Sequence, residues 1–256
     1  MNIRFLGTHS CESQSTKFVS LLIDDILAID AGGLTSSLSF EAQQKLKAVL
    51  LSHQHYDHMR DIPALGMNFY LHDATINVYS TQPVYDALTT HLLNSELYPN
   101  FLEKPQPNPA IRFNIIESNR AEQIEGYSIL ATEVNHSVPT LGYQVASPDG
   151  KTLFYTADTG PGLAECWKQV SPQLLIIEVI GPNRYEEEAK KTGHLTPNLL
   201  EQELIAFREV KGYLPQVVTV HMSPSLEEEI RAELAVATET LNHPITLAYE
   251  GMEIDL

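Results

Sequence analysis

The segment Ser52-His53-Gln54-His55-Tyr56-Asp57-His58 carries four metal-binding side chains within six consecutive residues. Imidazole and carboxylate are the usual ligands of zinc. The segment directly follows residues 48–51, whose apolar run reads as a buried strand. Residues two apart on an extended segment point the same way. His53, His55 and Asp57 are therefore expected to face one site, and a tight turn brings His58 in beside them. A solvated polar loop is the competing reading. Three of the chain's 10 histidines lie in this one stretch, which argues against it.

Further ligand-type residues stand where predicted strands end. His136 follows residues 127–134, Asp158 follows 153–157, and His221 follows 217–220. Taken singly, each is more often an ordinary loop or cap residue. Strands of one sheet system that each end in such a residue place them along one rim. Asp30 ends residues 27–29 and reads either as a turn residue or as a carboxylate orienting a ligand histidine. Glu178 ends the apolar strand 174–177. His194 precedes a helix start at Thr196-Pro197, a position where phosphate binds readily.

The elements that must position these residues alternate between strand and helix. A first strand covers residues 3–6. Residues 18–23 and 26–29 form a hairpin turning at Asp24-Asp25. Helices are predicted over 40–46, 59–71, 83–93 and 162–170. The later helices begin at Thr196, as N-cap before Pro197, and at the capping box Ser225-Leu226-Glu227-Glu228. Strands are expected at 77–79, 111–116, 127–134, 141–145, 153–156, 174–177, 217–220, 246–249 and 252–254. Four prolines make residues 98–110 a loop or arm. The two halves are alike, each with strands followed by helices, which suggests two sheets packed between helices in one domain spanning 1–256.

The bulk composition narrows the chemistry. Sixteen Lys+Arg against 33 Asp+Glu give a net charge of −17. Proteins that hold long nucleic acids usually display a basic stripe, because phosphate neutralisation supplies most of the affinity. None is visible, so a small substrate is expected rather than a polymer. No apolar run is long enough to span a bilayer. Cys11 and Cys166 cannot form a disulfide framework, and the first residues lack a signal-peptide pattern, so a cytoplasmic location is expected.

The pattern His53-x-His55-x-Asp57-His58, followed by His136, Asp158 and His221, resembles the metallo-β-lactamase superfamily over nearly the whole chain. The resemblance implies an αββα sandwich with two divalent metals, zinc expected and manganese or iron as alternatives. By the same resemblance His53, His55 and His136 hold one metal, Asp57, His58 and His221 the other, and Asp158 bridges. The segment Ile177-Glu178-Val179 with Gly193-His194-Leu195-Thr196-Pro197 is similar to the phosphodiesterase branch shared by ribonuclease Z and class II cyclic-nucleotide phosphodiesterases. Leu27-Ala28-Ile29-Asp30-Ala31-Gly32 is closer to the cyclic-nucleotide enzymes, whereas Phe154-Tyr155-Thr156-Ala157-Asp158-Thr159 is closer to ribonuclease Z. Tyr56 stands where the former usually have leucine, and Ile177 where the latter usually have histidine.

The resemblance implies hydrolysis of a small phosphodiester such as a cyclic nucleotide. Asp57 would orient the attacking water. His194, positioned by Glu178, would stabilise charge or protonate the leaving oxygen. Alternatives are a tRNA 3′-processing endonuclease, or a lactonase, thioesterase or β-lactamase on the same metal site. An iron redox protein is disfavoured by His55, where redox members usually carry a carboxylate. A non-enzymatic scaffold is disfavoured by the full ligand set. Relatives are often homodimers, so a homodimer is expected.

Overall fold

The computed structural model describes residues 1–256 and contains two compact units, each built on one seven-stranded mixed sheet. In chain order the strands are β1 (Asn2–Gly7), β2 (Ser20–Ile23), β3 (Leu27–Ile29), β4 (Ala48–Leu50), β5 (Ile76–Ser80), β6 (Ile111–Ile115), β7 (Ala121–Ile124), β8 (Tyr127–Glu133), β9 (Leu141–Ala146), β10 (Thr152–Tyr155), β11 (Leu174–Glu178), β12 (Gln216–Val220), β13 (Ile245–Leu247) and β14 (Glu253–Asp255).

The first unit comprises residues 1–7, 17–117 and 250–255. Its sheet runs β14-β1-β2-β3-β4-β5-β6. The pairs from β14 to β3 are antiparallel and those from β3 to β6 parallel. The β2–β3 hairpin turns at Asp24 and Asp25, with φ of 47° and 63°. Two successive positive φ values match the right-handed twist of the strands and favour short polar residues. The strands pack against Ile62, Leu65 and Phe69 of the helix Ile62–Leu71 and against Val84 and Leu88.

The helix expected over 59–71 is broken at Arg60 and Asp61, giving Tyr56–Met59 and then Ile62–Leu71. Pro63 is suited only to the first turn of a helix, and the Asp61 N–H donates to Ala31 O at 2.8 Å instead of continuing the ladder. The helix expected over 83–93 is α-helical at Gln82–Ala87 and passes into a π-turn at Leu88–Leu92. Residues 98–110 lack regular structure yet are anchored: Phe101 and Ala110 are buried in the core of this unit.

The second unit comprises residues 8–16, 118–249 and 256, with sheet order β13-β12-β11-β10-β9-β8-β7. Its pairing pattern repeats that of the first: three antiparallel pairs from β7 to β10, then three parallel pairs to β13. The short strand β7 has no run of apolar residues and escapes a reading of hydrophobicity; its pairing with β8 defines it. The helix Pro197–Lys211 buries Leu199, Leu200, Leu204 and Phe207. At roughly 1.5–3 kcal/mol for each fully buried side chain, that face rather than intrinsic propensity holds the helix in place.

Two caps differ from expectation. Thr196 takes the N-cap position before Pro197, but its hydroxyl makes no cap bond. The N–H of Asn198 in the first turn donates to Asn183 Oδ1 at 2.8 Å, so a distant side chain supplies the cap. The capping box at Ser225 does not form. Pro224 opens a 3-10 turn over Pro224–Leu226, which leaves Ser225 one residue before the N-cap Leu226, and the helix Glu227–Leu241 follows without a side-chain cap.

Candidate metal centre

Most of the residues expected to do chemistry lie at the C-terminal ends of strands in parallel pairs, where open sheets of this kind gather ligands; His136 instead follows the antiparallel strand β8, and His194 follows the helix Glu186–Thr192. In the first unit Asp30 follows β3, and the segment from Ser52 to His58 follows β4. In the second, Asp158 follows β10, Glu178 ends β11 and His221 follows β12.

In the first unit, His53 Nε2 and His55 Nδ1 face each other at 3.0 Å. Two nitrogens bound to one tetrahedral zinc at 2.0–2.1 Å would stand about 3.3 Å apart. His58 Nε2 lies 3.4 Å from Asp57 Oδ2, a second pair at ligand-edge spacing. The other ring nitrogens are held from behind. His58 Nδ1 lies 2.7 Å from Asp30 Oδ2, and His53 Nδ1 lies 2.9 Å from Ser52 Oγ. Asp30 in turn accepts the Ser52 N–H at 2.8 Å and its hydroxyl at 2.9 Å. A partner on one imidazole nitrogen fixes the ring and turns the other toward a metal. Asp30, Ser52, His53 and His58 are all fully buried.

The loop after β3 makes this packing close. Asp30 has φ 58°, a left-handed conformation that Asp tolerates and that fits its reading as a turn residue. A Cβ on Gly32 would come within 2.1 Å of Asp57 O, so only glycine fits. The Ala31 N–H donates to His58 O at 2.7 Å, closing the loop against the histidine motif.

In the second unit, one oxygen of Asp158 faces two imidazoles. Asp158 Oδ2 lies 3.9 Å from His136 Nε2 and 3.5 Å from His221 Nε2. A carboxylate so placed could share a metal with either imidazole. The Nδ1 of His136 lies 2.7 Å from the carbonyl of Gly193 and acts as its donor. The His221 N–H donates to Thr8 O at 2.6 Å, with His221 at φ 63° and Ala157, just before Asp158, at φ 58°. Left-handed backbone at a non-glycine residue costs on the order of 1–3 kcal/mol and persists where surrounding contacts impose it.

His194 and Glu178 form a separate pair. His194 Nδ1 stands 2.6 Å from Glu178 Oε1, and the buried carboxylate also accepts the Thr159 N–H at 3.0 Å. The His194 ring stacks on His221 at 5.6 Å and 12° and meets His136 edge-on at 5.0 Å. Glu178, His194 and His221 also offer ligand atoms within 4.8 Å of one another. The 2.6 Å separation is that of a charge-assisted hydrogen bond, shorter than the spacing of two ligands on one metal.

The ligand candidates thus stand at strand ends, in the loops after them or, for Asp57 and His58, in the short helix Tyr56–Met59, each beside another of the set within its unit. Sequence reasoning missed the supporting groups: Ser52 behind His53, the Gly193 carbonyl behind His136, the Thr8 carbonyl on His221 and the Thr159 N–H on Glu178. Ser52 alone had a signal, standing between a buried strand and the first histidine. The chain carries a His/Asp cluster able to bind metal ions, its imidazoles held from behind by these groups.

A family model described as a β-lactamase superfamily domain matches residues 26–222. Ribonuclease Z of Pyrococcus abyssi (strain GE5 / Orsay) is 24% identical over 254 residues, covering 91% of this chain and 78% of that protein. A 3′,5′-cyclic-nucleotide phosphodiesterase of Aliivibrio fischeri is 23% identical over 209 residues, covering 73% of this chain and 61% of that protein. Among solved structures, unliganded yeast PDE1 matches with a TM-score of 0.85 at 15% identity, covering 100% of this chain and 99% of that one. The short form of human tRNase Z matches at 0.70 and 21%, with coverage of 100% and 99%. The chain belongs to the β-lactamase superfamily and is a metal-dependent hydrolase of the metallo-β-lactamase fold.

Proposed function

We propose that this hydrolase cleaves phosphodiester bonds of small substrates such as cyclic nucleotides, using two divalent ions. His53, His55 and His136 would hold one ion and Asp57, His58 and His221 the other, with Asp158 shared. When bound, two such ions supply Lewis acidity at the phosphoryl oxygens and bring the pKa of bound water to about 7.

The chain's own residues supply the rest. Asp57 orients the attacking water. Glu178 accepts the Nδ1–H of His194 and stabilises the protonated imidazole, so Nε2–H can donate to a phosphoryl oxygen or the leaving alkoxide. The observation that carries the reading is this pair: a buried carboxylate at 2.6 Å behind a histidine whose ring stacks on the ligand His221. Phosphoryl transfer places charge on several oxygens and on the leaving group at once, and a second protonatable ring meets that need. Hydrolysis of a carbonyl centre has less use for it.

The similarity to ribonuclease Z supports a second reading, precursor tRNA as substrate. The net charge of −17 weighs against a polynucleotide. The test is a hydrolysis panel on protein of measured metal content: cyclic AMP, bis(p-nitrophenyl) phosphate, precursor tRNA and a lactone. Turnover of the small diesters ahead of the others is expected. Lactone hydrolysis without diester hydrolysis would overturn the reading, and preferential tRNA cleavage would replace it with the endonuclease.

A further inference from the structure

His9 is a buried histidine with no part in the chemistry proposed above. It lies in the second unit, next to the residue whose carbonyl holds a candidate ligand: the His221 N–H donates to Thr8 O at 2.6 Å. Residues 8–10 run beside the end of β12 as a short added strand. His9 pairs with Met222 in a parallel bridge, and the Ser10 N–H and hydroxyl both donate to Met222 O, at 3.1 and 3.3 Å. His221 itself sits at φ 63°, a left-handed conformation that a non-glycine residue keeps where contacts impose it. The Thr8 carbonyl is one such contact, so the setting of His221 depends on what fixes residues 8–10.

The His9 side chain supplies that fixture. Its Nδ1 lies 3.1 Å from Thr8 Oγ1, and its Nε2 lies 3.2 Å from Glu227 Oε2. Glu227 opens the helix Glu227–Leu241, and its other oxygen accepts from Arg231 Nη2 at 2.6 Å. Both ring nitrogens and both carboxylate oxygens are thus engaged. The ring cannot turn without stranding a polar atom inside the protein, which costs more than the bond itself contributes. The helix buries Ile230, Leu234 and Ala237 and is a firm anchor. A residue that only filled space here would need neither nitrogen.

We infer that His9 is a positioning residue for His221. Through Glu227 it ties residues 8–10 to the helix Glu227–Leu241, and through the Thr8 carbonyl those residues hold the His221 main chain. For metal binding the inference rests on the two-ion reading of the proposed function; for the main chain at His221 it does not.

The test uses the full chain purified in zinc, with His9→Ala, His9→Gln and His9→Asn. A glutamine amide reaches the place of Nε2 and can donate to Glu227, whereas an asparagine amide reaches only that of Nδ1. Amide hydrogen exchange followed by NMR should show the His221 N–H exchanging about 10-fold faster or more in His9→Ala and His9→Asn, with Val217 and Val218 of β12 unchanged. In His9→Gln it should stay within about twofold of the parent. Competition with a chromogenic chelator should show one of two zinc equivalents held about 10-fold more weakly in His9→Ala, the lower end of the range for groups behind a ligand, and the other unchanged. Glu227→Ala breaks the same link from its half-buried end and serves if His9→Ala does not fold. Unchanged exchange at His221, equal acceleration along β12, or a glutamine variant no better than the asparagine one overturns the inference. A parent protein that holds fewer than two zinc equivalents removes the two-ion reading instead and leaves the exchange result to decide for His9.

Discussion

His194 Nδ1 stands 2.6 Å from Glu178 Oε1, with the carboxylate fully buried and the imidazole ring stacked on His221. The arrangement sets His194 apart from its two neighbours. His136 and His221 face Asp158 at 3.9 and 3.5 Å, while His194 turns one nitrogen to the Glu178 carboxylate; under the proposed function its other nitrogen would carry the proton.

That division makes His194→Ala diagnostic. Turnover of a phosphodiester should fall about 10²- to 10⁴-fold, the range for loss of a general acid. Metal content by mass spectrometry should stay at the parental value. Loss of metal together with activity would make His194 a structural residue.

Replacing Asp30 by Asn should act on the metal rather than on the proton. Asp30 accepts from Ser52 twice and from His58 Nδ1, so an amide would set an N–H₂ against at least one donor in a fully buried place. Metal affinity, read by competition with a chromogenic chelator, should drop about 10- to 100-fold.

Gly193→Ala is expected to damage both the fold and the site. Gly193 has φ 76°, and a Cβ would approach His136 Cα and Ser137 N to 2.9 Å. Its carbonyl also holds His136 Nδ1. Thermal unfolding should show destabilisation of about 2 kcal/mol or more. Residual folded protein should bind less metal.

Cys166 predicts a pH signature. Burial, aided by the nearby Glu203, pushes its thiol up to about 12. An unfolded thiol ionises near about 8.5. Above that value the unfolded chain binds fewer protons than the native one, so stability falls as pH rises toward 12. Cys166→Ala should remove part of the slope, up to about 1.4 kcal/mol per pH unit. At pH 8 a thiol reagent should label only the exposed Cys11 in native protein and both cysteines after unfolding.

Chelation offers a global check. Ions that bind the folded chain and not the unfolded one stabilise it by about 2.7 kcal/mol at 100 times their Kd. Removing them should lower the melting temperature and abolish turnover, and re-addition should restore both.

Local sequence was enough to pick out the side chains able to bind metal and the strands that Asp30, His136, Asp158, Glu178 and His221 follow or end. Local alternation and turn chemistry carried that information: Asp24-Asp25 turned a hairpin, Thr196-Pro197 began a helix, and the apolar run before Ser52 was a strand. Tertiary structure alone decided how the ligands are held. The left-handed backbone at Asp30, Ala157 and His221 is imposed by contacts such as His221 N–H to Thr8 O, between residues far apart in the chain. Phe101 lies in a proline-rich stretch yet is buried, because its ring meets Tyr70 at 5.5 Å. Ser225 had the right neighbours for a cap and lost the position to a turn opened by Pro224. Propensity acts over a few residues, whereas the carbonyls and carboxylates that orient these imidazoles come from strands and loops that only folding brings together.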